Sequence, residues 1–263
     1  MDRVDMFKAE IRRMFSVSYV VKSVLFMIAL LSLSVMTFFY QYGTKDCTLY
    51  IVFVNIILGG FFFELIYIPA SFFQTLNLSM DIQQKSYYLY SSRSSKLSYI
   101  FAKICVGSIF AFVITELALN IMLLVGAFNL NMIDMEYMTG GADIYEDILR
   151  NNIWLYFEMR IFFVSLSSGV FNAIGMLITA LIPDKYVAIS SAYIFSIILE
   201  KIGLILRIPI YISISSMVEG FVRVNRSVVF SVGYITIFSL VCIIVVTCLF
   251  KKIMIRRCFD AKK

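Results

Sequence analysis

Residues Ser227–Phe250 read SVVFSVGYITIFSLVCIIVVTCLF, 24 positions without a charged side chain. A helix needs ~20 apolar residues to cross a hydrocarbon core of ~30 Å, so this stretch is long enough to span a bilayer. Five more apolar runs precede it, giving spans at 18–40, 50–73, 100–127, 161–182, 186–206 and 227–250. The runs are continuous instead of alternating, which excludes a membrane β-barrel. No water at that depth can satisfy an open backbone, so each crossing is expected to be helical. The expected fold is all-α: a polytopic membrane protein of six transmembrane helices, one transmembrane domain over residues 1–263.

Composition points the same way, with 61% hydrophobic and 15% charged residues and a mean hydropathy of +0.89. A soluble domain carries about a quarter charged residues, and no segment left between the spans could build a separate soluble core. The net charge of +6 reflects basic residues clustered beside the spans, so no nucleic-acid partner is expected. With the N-terminus inside, inner segments hold 16 Lys and Arg and outer segments 7. That bias places both termini in the cytoplasm. The outer loop after the third span agrees, with Asp134, Glu136, Asp143, Glu146 and Asp147 offset only by Arg150. The first run follows a basic N-region, as in a signal peptide, but it is too long for a typical apolar core and is read as a retained span.

Histidine is absent, which removes histidine triads, HExxH zinc sites and imidazole proton shuttles. The five cysteines (47, 105, 242, 248 and 258) form no CxxC pair and read as incidental thiols. The chain has no GxxxxGK[ST] loop, GxSxG elbow, metal-ligand cluster, arginine-rich voltage-sensor span or potassium-filter stretch. No inverted repeat marks it as a self-sufficient secondary transporter. No catalytic residue and no metal are expected.

Three segments outside the spans carry pattern. In 2–16, Val4, Phe7, Ile11, Met14 and Phe15 fall at helical spacing, with Arg3, Lys8, Glu10, Arg12 and Arg13 on the other face. A basic amphipathic helix of this kind lies in the headgroup layer; a frayed tail is the plain alternative. In 74–99, Asn77 or Ser79 can cap a helix over 80–90 with Asp81 in its first turn. It would display Gln83, Gln84 and Lys85 beside Tyr87, Tyr88 and Tyr90, suited to docking in a groove of another protein or to lying on lipid headgroups. Segment 207–226 is too apolar for a free loop and is expected to tuck against or re-enter the membrane.

Within the spans, Pro69 is expected to kink the lower end of the second. Glu64 and Glu116 fall near mid-membrane by residue count, where an ionised side chain costs roughly 2.5–3.5 kcal/mol on insertion scales. Each must face the interior, find a partner or hold a proton. With Asn120 they either line a polar translocation route or make interhelical hydrogen bonds. Glu200 and Lys201 lie close enough to a span end to snorkel. Ser165, Gly169 and Ala173 recur every four residues as a narrow packing face for another helix.

This arrangement resembles the permease subunits of type-2 ATP-binding-cassette (ABC) transporters over nearly the whole chain. Those proteins have six spans, cytoplasmic termini, an amphipathic helix before the first span and a coupling helix between the second and third. The best local match is Ser92-Arg93-Ser94-Ser95-Lys96-Leu97-Ser98-Tyr99-Ile100-Phe101-Ala102-Lys103, similar to the family's basic–aromatic–lysine pattern at the start of the third span. The resemblance implies a multi-pass protein of a bacterial plasma membrane that exports a peptide or other amphipathic substrate. It implies a second permease subunit, surrounding lipid, and a separate ATPase subunit carrying ATP and Mg, with no cofactor in this chain. Gln84, Lys85, Tyr88 and Arg93 would meet that ATPase. The rival reading is a nucleotide-independent immunity or sensor protein that binds a toxic peptide.

Overall fold

A computed structural model describes residues 5–42, 48–54, 63–88, 95–131, 145–207 and 228–259, and among these there is no strand. The helices are α1 (Met6–Met14), α2 (Val17–Tyr42), α3 (Leu49–Val54), α4 (Tyr67–Gln83), α5 (Lys96–Asn129), α6 (Glu146–Asn151), α7 (Ile153–Leu181), α8 (Lys185–Ile205) and α9 (Val228–Met254). A 3-10 turn, Phe63–Ile66, leads into α4, and a π-helical turn, Ile255–Phe259, follows α9. Five of these helices (α2, α5, α7, α8 and α9) are long and apolar enough to cross a membrane. Their outward faces carry large apolar side chains: Val21, Leu25, Leu33 and Met36 on α2, Ile121, Leu124 and Phe128 on α5, Ile237, Leu240 and Ile244 on α9. A water-facing helix would place charges there.

Helix α7 is the central member, packed by α4, α5, α8 and α9 and buried along most of its length. Small residues let its neighbours close in. A Cβ on Gly169 would lie 3.2 Å from the backbone oxygen of Ser108 on α5, and one on Gly175 would lie 3.2 Å from Cβ of Ala192 on α8. Ser191 of α8 donates its hydroxyl to the Gly175 carbonyl at 3.2 Å. From α4, the Tyr67 hydroxyl donates to Ser167 Oγ at 3.0 Å and its ring lies 4.5 Å from that of Phe171, tilted by 42°. Ser165, Gly169 and Ala173 are all buried inside this one chain.

The stretch assigned to the second span, 50–73, is laid out differently. It is shared between α3, the 3-10 turn and α4, with 55–62 outside the described residues. Pro69 falls in the first turn of α4, where a missing N–H leaves no intrahelical bond unmade. It therefore belongs to the start of α4, just after the 3-10 turn. Helix α4 then runs past residue 73 to Gln83, so Asn77 and Ser79 are interior and cap no helix; of the helix expected over 80–90, residues 80–83 are the last turn of α4, 84–86 are a turn, and 89–90 lie outside the described residues. The physical reason is local. Ser71 and Thr75 donate their hydroxyls to the carbonyls of Tyr67 at 2.7 Å and Ser71 at 2.9 Å, so the polar residues are satisfied on the helix itself and do not end it. Arg93, Cys47 and residues 208–226 of the segment expected to tuck against or re-enter the membrane lie outside the described residues.

One end of the bundle gathers α1, the end of α4, the start of α5, the α7–α8 turn and the end of α9. Gln83 donates to the Pro183 carbonyl, and Arg257 donates to the carbonyls of Ala180 and Leu181 that close α7. Asp184 caps α8, accepting the N–H of Tyr186 at 2.8 Å and of Val187 at 3.2 Å. Lys8, Arg12, Lys85, Lys96, Lys185, Lys252 and Arg256 all belong to this end, the basic end of the molecule.

The close α5–α7 approach gives a direct test. Gly169→Val forces a branched side chain onto a backbone oxygen and should lower stability by about 1–3 kcal/mol, read as a lower melting temperature in detergent. Gly233→Ala, where nothing lies within 4 Å of the added carbon, should leave the melting temperature unchanged or raise it.

Candidate functional site

At the basic end, three helices bring four charges into one buried knot. Helix α1 starts at Asp5, whose side chain accepts the Lys8 N–H at 3.4 Å. Its buried residues, Met6, Glu10 and Met14, fall one turn apart and face the bundle. Phe7 and Ile11 face outward. The polar face assigned to water thus divides: Lys8 and Arg12 are exposed, whereas Glu10 turns inward and Arg13 reaches in beside it. Of the apolar set assigned to the headgroups, Met14 is buried, and Phe15 packs edge-on against Phe110 at 5.3 Å. A helix with two unlike faces can turn either one to protein, and here a buried partner charge on α5 decides.

That charge is Lys103, which is 3% exposed. Its Nζ stands 2.6 Å from Asp81 Oδ2 in the last turn of α4 and 3.3 Å from Glu10 Oε1. Arg13 Nη2 lies 2.7 Å from the same Glu10 oxygen, and its Nη1 lies 3.9 Å from Asp81 Oδ2. The Tyr99 hydroxyl donates to Asp81 Oδ2 at 3.1 Å, and Lys103 sits over the Tyr99 ring at 5.5 Å. Ser86 donates to Asp81 Oδ1 at 3.2 Å. Two carboxylates and two cations leave no net charge in the knot. Each of α1, α4 and α5 contributes at least one member, so none of the three can shift without separating charges in a poorly solvated place.

Directly beside the knot, the chain leaves α4 through a turn that protrudes. Lys85 takes a left-handed conformation (φ 57°), the usual helix-ending geometry, ordinarily given to glycine. The Gln84 N–H bonds the Met80 carbonyl at 2.9 Å, and the Tyr88 N–H bonds the Lys85 carbonyl at 3.1 Å. Gln84 and Lys85 are exposed, Tyr88 is half-buried, and Tyr87 is buried with its ring 4.4 Å from that of Tyr88. Three of the four residues expected to meet a partner therefore share one turn. The fourth, Arg93, is outside the described residues.

The residues expected to line a route have separate surroundings. Glu64, in the 3-10 turn before α4, meets the carboxyl of Glu200 with Lys201 close by, near the end of α8 and away from the middle of the bundle. Lys201 pairs with Glu200 at 3.2 Å. Glu116, on α5, faces Ser165 of α7, and Asn120 donates to the Glu116 backbone carbonyl at 3.1 Å. Counting residues places Glu64 midway along the second span; it lies beside Glu200, five residues before the end of α8.

Sequence reasoning did not single out Glu10 or Lys103 as site residues. The signal was present for Lys103, which falls within the span read at 100–127. A lysine there needs a partner charge or carbonyl, and Asp81 and Glu10 are the acidic residues nearest that end. Among the described residues no group of His, Cys, Asp and Glu has the makings of a metal site. Comparison with protein-family models, curated proteins and solved structures gave no match.

Removing one member of the knot should cost more than removing a pair. Lys103→Met leaves Glu10 and Asp81 short of a buried cation and should destabilise the protein by about 3–5 kcal/mol, measured by denaturant unfolding in detergent. Adding Asp81→Asn to Lys103→Met should restore part of that loss, since contacting residues couple by roughly 0.5–3 kcal/mol. Strict additivity of the two substitutions would show that the pair does not interact.

Proposed function

We propose that this chain is the permease subunit of an ATP-driven exporter, supplying a passage for a peptide or other amphipathic molecule while a separate ATPase subunit supplies the force. The reading takes six crossings, the second within the stretch read at 50–73, with the basic end and both termini in the cytoplasm. The observation that carries it is the coincidence of a turn that exposes Gln84 and Lys85 with the buried knot directly behind it. A partner pressing on a loose loop would move only the loop. Pressure on this turn reaches Asp81 through Ser86, and Asp81 is fastened to α5 by Lys103 and Tyr99 and to α1 by Arg13.

Closure of the ATPase on ATP and Mg would thus displace α4 together with α1 and the start of α5. The Gln83 bond to Pro183 carries the same displacement to the α7–α8 turn. A second permease subunit completes the passage, whose access changes as these helices shift. ATP drives the cycle because its binding favours one arrangement of the bundle over the other. In this scheme Gln84, Lys85, Tyr88 and Arg93 form the grip, and Glu64, Glu116 and Asn120 are the polar groups available to the route. The chain itself catalyses nothing.

The test is a pull-down of the tagged chain from its native membrane. The wild type should bring down an ATPase subunit. Lys85→Glu combined with Arg93→Glu should reduce recovery about tenfold, equivalent to ~1.4 kcal/mol of binding, with the melting temperature of the purified chain unchanged. Lys85→Gly, which suits the left-handed turn, should keep the fold and weaken recovery less. If no ATPase accompanies the wild type, or the charge reversal leaves recovery and export intact, the permease reading fails.

A further inference from the structure

At the end of the bundle away from the knot, α2, α3 and α5 enclose an apolar cavity of about 200 Å³. Leu31, Val35 and Phe39 of α2 form one wall, Val52 of α3 a second, and Leu119 and Met122 of α5 the third. The lining has one amide, Asn129, and its Nδ2 is already bonded to the Val125 carbonyl at 2.7 Å. Two local features keep the space open. The Leu49 N–H bonds the Asn131 carbonyl at 2.8 Å, pinning the start of α3 across the end of α5. Gly126 has no side chain where Leu49 crosses it; a Cβ there would lie 2.5 Å from Leu49 Cδ1.

The lining offers water little to bond, only what remains of the Asn129 amide. An apolar cavity of ~150 Å³ in a protein core stays dry and takes up a small hydrocarbon, so a larger one lined the same way calls for an apolar occupant. The walls indicate its source. The two helices that frame the cavity turn uncovered apolar side chains outward at the same level: Leu33, Met36 and Tyr40 on α2, and Leu124, Val125 and Phe128 on α5. Val125 belongs to both the lining and this outer face, so the cavity is continuous with the surface that meets hydrocarbon if the chain is in a bilayer. Among the described residues no charged side chain lines it, so none of these would hold a headgroup there.

The geometry points to a binding site for one acyl chain of a membrane phospholipid, taken from the leaflet opposite the basic end and held between α2, α3 and α5. Filling it would support α3, a helix of six residues too short to be stable alone. The site rests on membrane residence and is independent of the permease reading.

The test uses a phospholipid carrying a photoactivatable diazirine midway along one acyl chain, incorporated with the full-length protein in nanodiscs, and peptide mapping after irradiation. Adducts should concentrate on Leu31, Val35, Leu119 and Met122. Leu119→Trp, which fills the space from α5, should reduce those adducts about tenfold, equivalent to ~1.4 kcal/mol of binding, while adducts on the outward Leu33 and Leu124 persist. Val35→Phe, which fills it from α2, serves as an independent variant should Leu119→Trp fail to fold. Adducts spread evenly over outward residues and unchanged by either filling variant would overturn the site, as would a filling variant that raises the melting temperature with no change in labelling. A chain that does not insert into nanodiscs would defeat membrane residence itself. Loss of the ATPase pull-down with labelling intact would defeat only the permease.

Discussion

Three buried charges, Glu10, Asp81 and Lys103, with the half-buried Arg13 beside them, determine how α1, α4 and α5 meet. Burying ions costs several kcal/mol each unless their partners and hydrogen bonds are well placed. Here the 2.6 Å contact of Lys103 with Asp81, the 2.7 Å contact of Arg13 with Glu10 and the Tyr99 hydroxyl supply those partners. The knot adds specificity more than adhesion. An apolar α1 could settle against the bundle in several registers, whereas only one brings Glu10 to Lys103 while Met6 and Met14 are buried on either side of it. The same contacts hold the last turn of α4, and through it the protruding turn that follows.

The helical, lipid-compatible character of the chain was legible from composition and run length, because hydropathy is a local property and α2, α5, α7, α8 and α9 each carry it unbroken. The four-residue repeat Ser165–Gly169–Ala173 was legible for the same reason, and Gly169 lies against the Ser108 backbone. Three features were hidden by the nature of the signal. Periodicity divides α1 into two faces without saying which of them meets protein. Hydropathy treats Ser71 and Thr75 as polar, although each is satisfied by a carbonyl one turn back, so the end of α4 was placed ten residues early. The pairing of Glu10 with Lys103 joins residues 93 positions apart, and no local pattern encodes it.

The candidate grip shows the same division. Gln84, Lys85 and Tyr88 were singled out as polar and aromatic residues on a short helix, and the structure puts Gln84 and Lys85 on a turn just before Tyr88, with Lys85 in the left-handed conformation that ends α4. A turn of this kind is well suited to receiving force. It is short, it has exposed polar side chains, and it is rooted in contacts that span three helices. By contrast, Glu64 and Glu116 occupy different interhelical contacts, one beside Glu200 and the other beside Ser165.

The central claim is that α1 is fastened into the bundle and does not float on headgroups. Hydrogen–deuterium exchange of the full-length protein in lipid nanodiscs reads this directly, because local opening sets the rate at which each amide exchanges. A fastened helix predicts that the amides of Glu10–Met14 exchange as slowly as those of Ala102–Val106 beside Lys103. Exchange of Glu10–Met14 at the rate of an isolated surface helix, with Ala102–Val106 still protected, would contradict it.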